Sequence, residues 1–491
     1  MFFIRNILTI LLIIPIIGIF FLLFIPNHKK LLLKQVSLIT VGLTFAYSLL
    51  IWLFFDKSLP YFQFNDTISW IPILNINLDI GIDGISLFFI ILTTLLIFIC
   101  LLSSWSSVKS EVKYYLICFL LLEFFLINVF IVLNLLIFYI FFESVLIPMY
   151  LLIGIWGSRE RKIRASYFFF FFTLLGSVFM LLAIIYLYIQ IGSTNYETLL
   201  SIHLTKKEQQ LIWLAFFLSF ASKVPMMPLH VWLPEAHVEA STSGSVILAG
   251  ILLKLGTYGL LRYSFPLLPF ASYYFSPIVF TMSVVGIIYA SFTAIRQSDF
   301  KRIIAYTSVA HMNLVIVGLF SLHTISIEGA IFQSISHGFV ASALFLIIGV
   351  VYDRYSTRLV KYYSGLTYSM PLYSTIFLFF TLANIGFPGT SNFVGEFLLL
   401  MGSFAIHSFI AFFSAITMIL SGSYSLFLFN RIAYGNIKTQ FITLFYDLTL
   451  RELFFFFPLV LCTIIAGIYP EIILDYIRNS TQFLMNHINN F

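Results

Sequence analysis

Ser222-Lys223-Val224-Pro225-Met226-Met227-Pro228-Leu229-His230 lies inside an apolar stretch running from about 211 to 234. A stretch of that length crosses a bilayer, which takes roughly 20 residues. This one carries a lysine and two prolines at its centre. An ionisable group at bilayer depth is costly, ~2.5 kcal/mol or more, and in a membrane segment it marks a proton or ion path. Proline removes a helix hydrogen bond and clashes with the preceding turn, and in lipid the freed backbone groups need protein or water around them. The segment therefore reads as a broken membrane helix lining a cavity, with a simple proline kink as the alternative.

The rest of the chain supports a membrane setting. Its 491 residues are 61% hydrophobic and 9% charged, far below the roughly 25% charge of a soluble domain. Fourteen apolar spans are expected: 6–26, 32–54, 84–104, 113–133, 135–156, 165–190, 211–234, 244–263, 276–297, 302–322, 326–350, 370–400, 407–431 and 453–475. The fold class is thus an all-α polytopic membrane protein. No polar linker is long enough for a separate soluble domain, so residues 1–491 form one membrane domain; the longest loops, 55–83 and 191–210, only cap helices. Residues 1–26 lack a small-residue cleavage motif and read as the first helix, not a signal peptide.

A second interruption, Asn384-Ile385-Gly386-Phe387-Pro388-Gly389 through Glu396, falls in the twelfth span, five spans after the first. Paired breaks of this kind mark transporters built from inverted repeats. Five is odd, so a second five-helix unit enters the membrane from the opposite face. The expected organisation is N-terminal helices in 1–112, one five-helix repeat in 113–263, its inverted partner in 276–431, and a last helix in 432–491.

Charge sets the orientation. Of the 26 lysines and arginines, Lys223 and Lys254 fall within spans and eighteen lie in loops after odd-numbered spans, among them Lys29, Lys109, Arg161, Lys301 and Arg358. Only Arg5, Lys57, Lys206, Lys207, Arg262 and Arg478 lie on the opposite side. The positive-inside rule puts the odd loops in cytoplasm or organelle matrix and both termini in the other compartment. These basic residues read as topogenic anchors and not as a nucleic-acid surface.

Few titratable groups lie within spans. They are Glu123, Glu143, Lys223, Lys254, His311, His337 and Glu396. Carboxylates, amines and imidazoles each accept and donate protons, and burial moves their pKa values toward neutrality from both sides. A Glu143/Lys223 ion pair holds Lys223 protonated; separating the pair lets the proton go. The alternatives are a protonated carboxyl bonded to a neighbouring helix, a snorkelling lysine and ordinary structural histidines. His230, Glu235, His237 and Glu239 lie within ten residues, but Pro234 interrupts them and the HExxH zinc order is missing. They read as the polar mouth of the path, without a metal. Cys100, Cys118 and Cys462 sit in apolar spans with no CxxC pair, so neither a disulfide nor an iron–sulfur site is expected.

The run Lys223–Pro225, His230-Val231-Trp232-Leu233-Pro234-Glu235-Ala236-His237-Val238-Glu239-Ala240 and Leu248–Gly256 resembles the antiporter-like membrane subunits of mitochondrial NADH:ubiquinone oxidoreductase, respiratory complex I. So do Phe142-Glu143-Ser144, Ala310-His311-Met312-Asn313, Ser336-His337-Gly338, Gly395-Glu396-Phe397 and Leu78–Ser86. The likeness covers nearly the whole chain and looks like the subunit-4 branch of plants and algae. Glu396 fits that branch, because lysine is typical there in the sibling subunits 2 and 5; so does the absence of a long C-terminal lateral helix.

The resemblance implies a proton-translocating subunit in the mitochondrial inner membrane, multi-pass, with both termini toward the intermembrane space and antiporter-like subunits 2 and 5 among its partners. It implies no cofactor in this chain, while the complex as a whole uses FMN, Fe–S clusters, NADH and ubiquinone. It assigns Glu143 and Lys223 as a switching pair, Lys254 as central relay, His311 and His337 as connecting stations and Glu396 as exit group; Glu123, by its place within a span, and His230 and His237, at the polar mouth, are expected as further members of the path. The alternatives are a free-standing multisubunit cation/proton antiporter and the chloroplast NDH-complex homologue.

Overall fold

The structure, a computed structural model, describes residues 6–438, 440 and 446–489; Arg5 lies outside the described residues. The chain opens with α1 (Ile7–Phe24) and α2 (Lys30–Phe54), then a hairpin of β1 (Gln63–Ile71) and β2 (Ile76–Ile82). There follow α3 (Gly84–Ser103), α4 (Val112–Ile131), α5 (Leu135–Trp156), α6 (Lys162–Ile191), α7 (Lys206–Lys223), α8 (Trp232–Glu239), α9 (Thr242–Leu267) and α10 (Pro269–Arg296). The remainder is α11 (Phe300–Phe320), α12 (Thr324–Tyr355), α13 (Pro371–Ile385), α14 (Ser391–Ile406), α15 (Ser408–Ala433), α16 (Leu450–Ile468) and α17 (Glu471–Asn489).

Twelve of these helices are long and apolar enough to cross a membrane. Two further passes are broken, α7 with α8 and α13 with α14, which gives the fourteen expected. α9 and α12 are buried along their whole length and α11 almost so, while α2, α6 and α16 bury a third of theirs and turn the remainder outward. A core of α3, α9, α11 and α12 is thus ringed by helices whose outer faces carry Phe171, Phe179, Ile278 and Phe412. Such all-apolar surfaces suit lipid and not water.

Both breaks have local causes. α7 starts with a capping box, Thr205 and Glu208, and ends at Lys223 because Pro225 and Pro228 cannot continue the helix. The Ser222 carbonyl left at that end accepts from Trp232 Nε1 at 2.8 Å. α13 ends where Gly386 and Gly389 adopt φ +80° and +90°, a region open to glycine at no steric cost.

Three features differ from the sequence expectations. The loop at 55–83 forms an antiparallel hairpin, whose second strand runs into Asp83, the N-cap of α3, boxed with Ser86. No loop separates the eighth and ninth passes: α9 and α10 meet at Leu268, with Pro269 at the first helical position, a place where proline's missing N–H costs nothing.

The last span does not run to 475. Residue Tyr469, before Pro470, is disfavoured in the α region, so α16 stops at Ile468 and a separate helix, α17, begins at Glu471. α17 buries Ile473, Leu474, Ile477, Thr481, Leu484, Met485 and Ile488, the spacing of one helix face. It lies across the ends of α3 and α12. Its carbonyl at Tyr476 comes so close to Gly84 that a side chain there has no room. Lys57 donates to Asp475 at 2.8 Å and holds that carboxyl below the usual carboxylate range.

Candidate functional site

Glu143 and Lys223 meet as expected. Glu143 sits just before the point where α5 breaks at Val145, three residues ahead of Pro148, whose missing N–H weakens the turn. The Lys223 ammonium lies 3.2 Å from Glu143 Oε1, donates to the Phe142 carbonyl at 2.6 Å and stands 3.1 Å from the centroid of the Phe142 ring. As the last residue of α7 it also faces that helix's carbonyl end, which favours a cation.

Lys254 occupies α9 between two π-helical turns, Leu248–Leu252 and Leu260–Ser264. A π-turn takes one extra residue and detaches carbonyls from the usual ladder. One of them, Ala249 O, accepts from the Lys254 ammonium at 2.5 Å. Both central lysines are therefore held by main-chain carbonyls made available by helix irregularities. The sequence reading found the lysines but not the π-turns.

From Lys254 a series of buried side chains runs across the core. Its ammonium is 2.9 Å from His337 Nδ1, the His337 and His311 rings lie 5.7 Å apart, and His311 Nδ1 is 3.1 Å from Glu396 Oε1. All four side chains are 0 or 1% exposed. Gln333, overlooked because it carries no charge, donates from Nε2 to the same Glu396 oxygen at 3.3 Å; its place in the apolar run Ile331-Phe332-Gln333 was the available signal. Gly386 supports the carboxylate by absence of bulk, since a Cβ there would stand 2.7 Å from Glu396 Oε2.

The other expected members stand apart. Glu123 is buried on α4 and accepts from Thr44 Oγ1 on α2, away from the central series. No hydrogen bond among the described residues joins Lys223 to Lys254. His230 packs its ring 5.5 Å from that of Tyr289, His237 stacks on Phe345 at 4.5 Å, and Glu235 pairs with Arg302 at 2.8 Å at the basic face. The sequence also missed a buried ion pair at the opposite face, Asp83 with Arg262 at 2.6 Å. Arg262 had been read as a loop anchor, and the guanidinium is instead enclosed by Phe62, Tyr196 and Tyr258.

Buried acid, amine and imidazole at hydrogen-bonding distances across two broken passes define a membrane protein of the antiporter-like type. The family described as NADH:quinone oxidoreductase/Mrp antiporter, TM, matches residues 132–423, and the chain belongs to it. Among similar proteins, NADH-ubiquinone oxidoreductase chain 4 of Marchantia polymorpha is 55% identical over 97% of this chain and 96% of its own. The chain 4 of Arabidopsis thaliana is 54% identical over 96% of both. A chain of the respiratory complex I from Thermus thermophilus with bound NADH superposes with a TM-score of 0.89 at 27% identity, covering 98% of this chain and 99% of that one.

Proposed function

We propose that this chain is a proton-translocating, antiporter-like subunit of the membrane arm of NADH:ubiquinone oxidoreductase, driven by quinone reduction elsewhere in the complex. The observation that carries the reading is the buried series Lys254, His337, His311, Glu396, whose neighbours stand 2.9 and 3.1 Å apart at its two ends. The names of the relatives at 54 and 55% identity supply the enzyme to which it belongs.

In this reading Glu143 holds the Lys223 ammonium charged. When the pair opens, Lys223 loses the counter-charge that stabilised its third N–H, and the proton passes through water to Lys254. From there the ammonium hands a proton to His337 Nδ1, His337 to His311 by way of water between the rings, and His311 to Glu396, from which it leaves. Glu123, His230 and His237 supply protons from the sides of the path. The chain itself holds no redox centre and no cofactor; FMN, the Fe–S clusters, NADH and ubiquinone belong to other subunits. Its partners include the antiporter-like subunits 2 and 5 and lipid. The setting is the mitochondrial inner membrane, with the basic face toward the matrix and both termini toward the intermembrane space, a placement supported by the charge distribution.

Lys223→Ala and Glu143→Ala in the assembled complex test this. Each is expected to lower quinone-linked proton pumping roughly tenfold or more while NADH oxidation by an artificial electron acceptor persists. Unchanged proton/electron stoichiometry and coupled activity in both would refute the reading. Purification without any NADH-oxidising subunit points instead to a free-standing antiporter, which the same family includes.

A further inference from the structure

The basic face of the bundle buries charges that this path leaves unused. Lys301, in the first turn of α11, is 2% exposed. Its ammonium donates to the Ala240 carbonyl at 2.7 Å and to Ser245 Oγ at 3.3 Å, and among the described residues it forms no ion pair.

Beside it stands a second buried cation. Backbone bonds from Phe300 N to Arg358 O, 2.9 Å, and from Val360 N to Ser298 O, 3.0 Å, strap the two segments together. Arg358 is 1% exposed, and its Nε, Nη1 and Nη2 find no hydrogen-bond partner among the described residues. The same holds for Glu239 Oε2 and for both ring nitrogens of His237, all on buried side chains. The charges acting on Lys301 are those of Arg358, Asp299, Glu239 and Asp353. Those acting on His237 are Lys301, at the basic face, and Lys254, the central relay. Ser245 Oγ ties the segments of these two residues together, donating to the His237 main-chain carbonyl at 3.2 Å and accepting from Lys301 at 3.3 Å.

Buried donors and acceptors with no protein partner are costly and are met by water where the site is polar. Arginine keeps its proton at any physiological pH, whereas lysine can release one. Of two neighbouring cations without a bonded carboxylate, only Lys301 can relieve the repulsion by discharge. We propose that Lys301 is the loading station for the central relay, passing protons to His237, and from it to Lys254, through water held among Glu239, Arg358 and His237.

The inference rests on the proton-path reading above. In each transfer an ammonium N–H of Lys301 breaks and a new N–H forms on the His237 ring. The neutral amine is then reprotonated from water on the basic face, and water is the sole co-reactant.

A lysine that merely caps the carbonyl end of α8 is replaceable by arginine, and a proton station is not. Lys301→Arg in the assembled complex is therefore the test. The variant is expected to assemble and to oxidise NADH with an artificial acceptor at the unsubstituted rate, while proton pumping linked to quinone reduction falls roughly tenfold. Normal pumping by Lys301→Arg overturns the proposal. If the longer guanidinium blocks assembly, Lys301→Gln replaces it; its shorter amide keeps a polar group beside Ala240 and Ser245 but carries no transferable proton, and the same two outcomes apply. Failure of both variants to assemble also overturns the proposal, because it makes the residue structural. A pumping defect in Lys223→Ala with normal pumping in Lys301→Arg removes this inference alone and leaves the central path standing.

Discussion

The two broken passes look like counterparts, five passes apart, yet they place their charges differently. Lys223 is the last residue of α7 and is held largely by main chain, the helix's own carbonyl end and the Phe142 carbonyl, with Glu143 as its carboxylate partner. Glu396 is the sixth residue of α14, past the first turn, where the field of a helix N-terminus has largely decayed. Its support comes from side chains, His311 and Gln333, and from the space that Gly386 leaves. The basic break is thus built into the backbone and sensitive mainly to the sign of its charge. The acidic break depends on its neighbours one by one.

Reversing the sign at the basic break should have the largest effect. Lys223→Glu sets a carboxylate against the α7 carbonyls, the Phe142 carbonyl and Glu143, like charge on like charge in a buried site. The complex is expected not to assemble, which native electrophoresis would show; an assembled, pumping variant would mean that the helix end does not select the cation. Gly386→Ala comes next. It combines a φ of +80° with a methyl 2.7 Å from Glu396 Oε2, and a loss of about 1–3 kcal/mol is expected, read as a lower thermal inactivation midpoint of the membrane arm. Gln333→Leu, which removes the bonds to Glu396 and from Ser336, should be smallest, about 1 kcal/mol, or roughly a fivefold drop in coupled activity with assembly intact. Equal effects from all three would erase the distinction between the two breaks.

Much of this was legible in the sequence because membrane burial writes itself as length. The fourteen passes followed from runs of about 20 apolar residues, and the two breaks from proline and glycine within them. The Glu143/Lys223 meeting was accessible because charge inside such runs is rare; His311 and Glu396 were singled out for the same reason, but their contact was not. What stayed hidden has a shorter or weaker signal. The apolar residues of α17 recur on one face instead of running continuously, so a search for long apolar runs takes its first turn as the end of α16. The alternation of Ile68 and Trp70 with Thr67 and Ser69 was the available signal for a strand, but a window sized for membrane helices averages it away. Arg262, Lys301 and Arg358 lie near the ends of spans, where a basic residue reads as an anchor. Only the folding of loops over them puts them indoors, and that is a property of three dimensions. The π-turns flanking Lys254 have no composition of their own.

α9, with Lys254 at its middle, touches its neighbours through glycine. A methyl at Gly250 would come within 2.7 Å of Ser342 Oγ, and methyls at Gly256 and Gly259 within 2.8 Å of the Phe220 carbonyl and 2.6 Å of its ring. Any single-base change of a glycine codon that alters the residue adds at least that methyl. Along the outer face of α6, by contrast, Phe171 or Phe179 becomes leucine by one base with nothing in the protein to collide with. A lineage under steady mutation is therefore free to rewrite the rim of this protein and has almost no spelling choice around its central lysine.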